Sequence, residues 1–444
     1  MRVSRMSTEI AVVGGGLAGC LLACFLAQRN EKVVLYERRP DPRGGVAERG
    51  RSINLALSER GLGALRRVGL EKQVLADGLP MRGRMIHPIS GALDFQPYSA
   101  DGDRAINSIS RGALNSVLLD AAEKSSSVDV RFEHRLTGLD PVTGEMLFDT
   151  PKGDVRAKAA VIFGADGAGS AVRGQLLRHG ATTETLDFLD YGYKELTIPP
   201  RDGEFALAEG ALHIWPRGRS MMIALPNPGK SFTCTLFWPN SGTSCFASLS
   251  SPPAIEKFFA EHYPDVPPLA PDLVSDYQQN PVGLLGTVRC TSWQSGRVGL
   301  IGDAAHAIVP FYGQGANCAF EDVVVLDECL ARTNGNWAET LPLFEASRRE
   351  DTEAIAQMAL ANFIEMRDKV ASPVFRLGKR VEHAVERLLP GRYVSRYELV
   401  SFSNTPYAQV RRRVRTQHGV LAAAGIGATA ALAGGVAMAW RRPS

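Results

Sequence analysis

The sequence predicts an α/β chain with a mostly β second region and an α-helical C-terminal part, on three observations. First, the apolar run Ile10–Val13 leads into Gly14-Gly15-Gly16-Leu17-Ala18-Gly19, a helical stretch at 17–28 and a second strand at 32–36 that ends at Glu37. Second, a similar passage recurs late in the chain: a strand at 297–301, then Gly302-Asp303, then a helix from near Gly315 through Leu330. Third, residues 181–285 between them hold short apolar strands, such as 221–225 and 232–237, joined by turn-rich connections. A signal segment does not fit residues 10–28, because three glycines interrupt the run after four residues.

The strand–turn–helix–strand order at the start is Rossmann-like. Gly14 permits the tight turn, Gly16 lets the backbone approach a pyrophosphate, and Gly19 lets the helix pack closely on the strand. The helix N-terminus offers free N–H groups and partial positive charge to phosphate. Glu37 stands eighteen residues after Gly19, where it can accept hydrogen bonds from an adenosine ribose. The plainer alternative is a glycine turn that only packs a helix on a sheet. At the second passage, Asp303 ends a strand beside a glycine and can bind the hydroxyls of a flavin's ribityl chain. The helix after it would aim its positive end at the flavin pyrimidine, where negative charge gathers on reduction. A third strand, at 161–163, runs into Gly164-Ala165-Asp166-Gly167, which on its own reads equally well as a turn.

Composition bounds the rest. With 444 residues, 45% hydrophobic and 22% charged, the chain is neither mainly disordered nor a polytopic membrane protein. Its net charge of +3 is unevenly placed: residues 376–444 hold twelve Lys/Arg against three acidic residues, a net +9 that leaves −6 on the body. The 22 residues 419–440 carry no charge and follow Arg411, Arg412, Arg413 and Arg415; Trp440, Arg441 and Arg442 close them. As a helix they would extend about 33 Å, so a C-terminal transmembrane helix is expected. Nine Ala and five Gly make the stretch only weakly hydrophobic, and a small-residue tail is the alternative. No aromatic-interleaved platform accompanies the basic residues, so nucleic acid is not an expected partner. Seven scattered cysteines without a CxxC pair read as buried free thiols of a reducing compartment. Neither they nor the histidines show metal-ligand spacing, and no metal is expected.

Taken in order, the three glycine-bearing motifs resemble those of the single-component FAD-dependent aromatic hydroxylases. Further segments narrow the resemblance: 51–58, 81–87, 193–200, 213–217, 221–227, 230–237, 362–367 and Arg396-Tyr397. Across nearly the whole chain this set is similar to the kynurenine 3-monooxygenase family. The resemblance implies FAD bound by Gly14, Gly16, Gly19, Glu37, Arg38, Ala56, Arg111, Leu136, Asp303, Ala316 and Asn317. It implies a substrate pocket of Arg84, Tyr98, Asn362 and Tyr397, with Arg84 and Tyr98 on an α-carboxylate and Phe311 and Tyr312 near the flavin ring. The implied reaction is NADPH- and O2-dependent hydroxylation of L-kynurenine to 3-hydroxykynurenine through a flavin C4a-hydroperoxide, a step of tryptophan degradation. No residue is expected to act as nucleophile or base. Another aromatic acid as substrate stays open, as does a non-catalytic membrane escort built on the same fold.

Read from the residues alone, Arg82 and Arg84 would face one side of an extended segment, either as a surface pair or with Arg84 binding a carboxylate in bidentate fashion. Met221, Ile223 and Leu225 share one strand face, either as core or as the wall for an aromatic ring. The FAD-binding domain is expected in two parts, 1–180 and 286–345, around a β-rich substrate domain at 181–285, with 81–98 contributing to the pocket. Residues 346–415 read as helical, with breaks at Pro373 and Pro390. The catalytic body is expected to face the cytoplasm from a C-terminal anchor, or to be soluble there.

Overall fold

The computed structural model describes residues 9–44, 54–99, 101–369, 391–417 and 419. Its first sheet has six strands in the order Gln294–Ser295, Val298–Leu300, Val161–Gly164, Ile10–Val13, Val33–Tyr36, Val128–Arg131. All pairings are parallel except that of the outermost strand, Gln294–Ser295. A parallel sheet covered on both faces needs strands that are apolar throughout. The three central strands meet that condition, with every residue buried. Helices Leu17–Gln28, Arg111–Glu123 and Gly315–Arg332 form a contiguous layer on it.

The glycines of the first turn are required by space. Gly14 sits at φ +114°, and a Cβ on it would lie 2.5 Å from Ala165 O. A Cβ on Gly19 would lie 1.9 Å from Gly14 O. Only glycine lets the helix start this close to two strands.

The second large sheet has seven strands in the order Gly283–Cys290, Glu184–Ile198, Phe232–Pro239, Ser220–Pro226, Ala211–Arg217, Gly83–Ile86, Asp94–Pro97. Strand alternation gives it two working faces. Trp215, Leu236 and Trp238 pack on one side against Phe258, Phe259 and Tyr263 of the 252–263 region. Ile214, Met221 and Phe237 face the other way, toward Phe311, Met358 and Phe363. The cavity described below opens between that second face and the first sheet. A small sheet, Leu55–Leu57, Ile106–Ile109 and Leu79–Met81, bridges the two large ones.

Two expectations are corrected. The expected C-terminal transmembrane helix is not upheld: no helix among the described residues is long and apolar enough to cross a membrane. The longest helix, Trp337–Ile364, holds charged side chains along its length, including Arg348 and Asp351 buried in its packing. The stretch 419–440 lies, apart from Gly419, outside the described residues, as do Pro373 and Pro390. Second, Arg82 and Arg84 do not share a side. The chain leaves the bridging sheet after Met81, and Arg82 stands at the changeover, its N–H donating to Gly210 O and its O accepting from Tyr98 N ahead of the strand Gly83–Ile86. Arg82 turns outward and donates to Asp103 O (2.7 Å), whereas Arg84 lines the cavity.

Candidate active site

One cavity of about 610 Å³ runs from the first glycine turn to the inner face of the seven-stranded sheet. At its nucleotide end lie Gly14, Gly16, Glu37, Arg38, Arg111 and Leu136. Glu37 is fixed from both sides. Its Oε2 accepts from Gly15 N (2.8 Å), and its Oε1 accepts from Arg39 N (3.0 Å) and Arg39 Nε (2.9 Å). Gly19 does not line the cavity; its place is the helix–strand contact that the missing Cβ permits. Asp166 lines the cavity and caps the helix Ala171–Arg178, accepting from Ser170 Oγ (2.5 Å) and Ala171 N (2.6 Å). Burial raises its carboxyl above the usual range, and those bonds oppose the rise.

In the middle of the cavity stand Ala56, Asp303, Gly313, Gly315, Ala316 and Asn317. Gly302, at φ +61°, turns the chain so that Asp303 starts a short helical turn at the cavity wall. That turn is anchored from below by Asp322, which accepts from Gly302 N (3.1 Å), pairs with His306 Nε2 (2.5 Å) and accepts from Arg348 Nε (2.7 Å). Burial pushes the Asp322 carboxyl up, but His306 and Arg348 outweigh it and hold it below the usual range. Cys318 completes the one cluster of possible metal ligands among the described residues, and Arg348 Nη2 donates to its sulfur (3.3 Å). The cluster is thus already matched to a guanidinium. The Asn317 side chain is spent on the protein: Nδ2 donates to Ala56 O and Gly313 O, and Oδ1 accepts from Ser58 N. It holds the bridging sheet against the turn that precedes the helix Gly315–Arg332.

The far end is differently built. Its wall is Leu212, Met221, Ile223, Leu225 and Phe237, so the period-two face is a cavity wall. Arg84 enters from the strand Gly83–Ile86. Its guanidinium lies 4.7 Å from the Tyr397 ring centre and 5.8 Å from that of Tyr98. The two rings stack at 4.6 Å and 16°. Burial opposes the charge on Arg84, yet Tyr397, Tyr98 and Glu365 together hold its proton more firmly than usual. Burial likewise raises the phenols of Tyr98, Tyr312 and Tyr397, which keeps them as neutral donors. Tyr98 itself stands behind Tyr397 and does not line the cavity. Asn362 Nδ2 donates to Phe311 O (2.7 Å), so its Oδ1 is the end left to accept. Phe311 stacks on Phe363 at 4.0 Å, and Tyr312 on Tyr397 at 5.9 Å. Arg84 Nε and Tyr98 Oη are buried with no hydrogen-bond partner among the described residues.

All the expected site residues but Gly19 and Tyr98 therefore meet in one cavity. Sequence reasoning passed over Arg39, Asp322 and Thr235. Thr235 was legible: it lies two residues before Phe237 on the same strand face. Asp322 was not, because its partners lie 16 to 26 residues away and meet it only in the fold.

A crevice lined by Gly14 and Gly16 at the head of a helix, continuous with a chamber where an arginine lies over a stacked pair of tyrosine rings, is the arrangement of a dinucleotide-dependent enzyme. The comparisons with known proteins make this specific. The FAD binding domain family model matches residues 7–359. A kynurenine 3-monooxygenase from Myxococcus xanthus is 48% identical over 92% of this chain and 88% of its own length. One from Stenotrophomonas maltophilia is 46% identical over 96% and 94%. Among solved structures, 2-methyl-3-hydroxypyridine-5-carboxylic acid oxygenase superposes with a TM-score of 0.68 at 22% identity, over 85% of this chain and 96% of that one. The p-nitrophenol 4-monooxygenase of Pseudomonas putida gives 0.67 at 19% identity, over 86% and 94%. These last two speak for the fold alone. The chain belongs to the kynurenine 3-monooxygenase family of FAD-dependent monooxygenases.

Proposed function

We propose that the protein hydroxylates L-kynurenine to 3-hydroxykynurenine with NADPH and O2. The observation that carries the substrate reading is Arg84, lying over the stacked rings of Tyr397 and Tyr98 at the end of a largely apolar chamber. A bidentate guanidinium suits an α-carboxylate. Asn362 Oδ1, its amide nitrogen already committed to Phe311 O, is placed to accept from an α-ammonium group. The apolar wall takes the aromatic ring. FAD fits the crevice lined by Gly14, Gly16, Glu37 and Asp303, and when bound supplies hydride acceptance and oxygen activation. The chain's own residues bind the amino-acid end, lay the ring on the wall and keep water out with Phe237, Phe311 and Met366. None needs to act as base or nucleophile.

The test mixes holoenzyme with NADPH, O2 and L-kynurenine. Stimulated NADPH oxidation together with 3-hydroxykynurenine is expected. Stimulation by a different aromatic acid, with none by kynurenine, would move the substrate; no stimulation by either would end the reading.

A further inference from the structure

The chamber wall contains one side chain that does not belong to an apolar surface. Thr235, on the strand Phe232–Pro239, pairs in register with Ile223 of the neighbouring strand, and both line the cavity. Thr235 is 1% exposed, and its Oγ1 is buried with no hydrogen-bond partner among the described residues. Its other cross-strand neighbour, Glu195, makes no hydrogen bond to it. A buried hydroxyl left unpaired is costly, and a wall built only to fill space would carry valine there. The other polar side chain near this wall, Asn54, is already spent: its Nδ2 donates to Ser108 Oγ and Pro226 O.

Position says what the hydroxyl meets. Two strands, Ala211–Arg217 and Ser220–Pro226, lie between the strand of Arg84 and that of Thr235. At the usual strand spacing the two backbones stand about 14 Å apart. Arg84 reaches in from one side, so a ligand whose carboxylate meets it lays its ring end toward Thr235. Kynurenine carries an amino group on that ring, beside the ketone. One amine N–H turns to the ketone within the molecule, and the other points outward.

We propose that Thr235 is the specificity-determining residue for the ring end of the substrate, its hydroxyl accepting a hydrogen bond from the arylamine. The bond fixes the rotation of the ring about its link to the ketone. The carbon beside the amine, rather than its counterpart across the ring, then takes the oxygen. This rests on the kynurenine reading above.

The experiment compares Thr235→Val and Thr235→Ser holoenzymes with the unaltered one, using L-kynurenine and its analogue lacking the ring amine. Affinity is read from the flavin absorbance change on titration, and product yield from 3-hydroxykynurenine formed per NADPH. Thr235→Val is expected to weaken kynurenine binding about tenfold and to lower the yield, while analogue binding is unchanged. Thr235→Ser restores kynurenine binding. Equal losses for both ligands would make Thr235 a shape residue only, and no loss for either would remove it from recognition; each result overturns the proposal. If the unaltered enzyme fails to bind or hydroxylate kynurenine, it is the substrate reading that fails, and that outcome is seen before any variant is made.

Discussion

The two ends of the cavity treat their polar groups in opposite ways. At the flavin end three carboxylates are already satisfied by the protein: Glu37 by Gly15 N and Arg39, Asp166 by Ser170 and Ala171 N, Asp322 by Gly302 N, His306 and Arg348. At the substrate end the cavity-lining Arg84 Nε and Thr235 Oγ1 are buried without hydrogen-bond partners among the described residues. The first pattern makes a rigid cradle that waits in its final shape. The second holds interactions in reserve, to be completed by ligand. Preorganisation at one end and deferred pairing at the other suit a tightly held cofactor and a substrate that must enter and leave.

The sharpest test is a pair of substitutions with opposite signatures. Asp322→Asn should cost about 3–5 kcal/mol of stability, because it strips a buried anion from Arg348 and His306. Loss of FAD should follow as the Gly302 turn loosens; urea unfolding and flavin content of the purified protein measure both. The Asp322 carboxyl is held low in the fold, so its contribution is present above the unfolded pKa and lost as pH falls through the folded one. Arg84→Met should behave in reverse. It removes a buried cation that makes no salt bridge among the described residues, so stability should hold or rise. Kynurenine affinity, read by flavin-absorbance titration, should fall roughly a hundredfold. A variant of Arg84 that unfolds, or one of Asp322 that keeps its flavin, would erase the contrast.

How much of this was legible in the sequence follows the same division. The flavin cradle was readable because its chemistry is local: glycines at fixed offsets, an acid at the end of the next strand, and an Asp beside a glycine. The predicted helix at 17–28 is the helix observed, and the strand expected at 32–36 forms at Val33–Tyr36. The wall was also visible, since Met221, Ile223 and Leu225 alternate on one strand. What escaped was whatever depends on long-range pairing. The buried Asp322 network joins residues from two helices and a turn. Period-two spacing sets Arg82 beside Arg84, but no local signal marks that Arg82 stands at the changeover of sheets and spends its side chain on Asp103 O. Resemblance named Tyr98, but only the fold shows that it acts from behind Tyr397.

The reverse face of the wall sharpens the comparison, because there a pair of histidines is paired at every ring nitrogen. His87 Nδ1 meets Asp265 Oδ2 (3.0 Å), His87 Nε2 meets His213 Nδ1 (2.8 Å), and His213 Nε2 meets Ala208 O (2.8 Å). Burial, with His87 beside it, depresses His213 to about 4. A histidine with a lowered folded pKa stabilises fully above its unfolded value near 6.5 and loses that contribution as pH falls toward 4. Stability should therefore drop by up to roughly 3 kcal/mol across that window. Urea midpoints at pH 7 and 4.5 should differ less in His213→Gln than in the unaltered protein. An identical pH slope in both would remove His213 from the account.

The smallest expected effect lies at Tyr98, and it separates two ways of holding Arg84. The ring stacks on Tyr397 at 4.6 Å, and the Arg84 guanidinium lies over both rings, yet Tyr98 does not reach the cavity surface. If the aromatic frame is what positions the guanidinium, Tyr98→Phe keeps stack and cation–π contact. Kynurenine affinity should then fall by no more than about threefold, with stability unchanged or slightly raised by loss of an unpaired hydroxyl. Tyr98→Leu removes the ring and should cost about tenfold in affinity, because an aromatic pair and a cation–π contact are each worth on the order of 1 kcal/mol. The flavin-absorbance titration reads both variants. Should Phe prove as damaging as Leu, the phenol itself binds the carboxylate on ligand entry. Tyr98 would then join Arg84 among the groups held in reserve, and would no longer count as part of the frame around it.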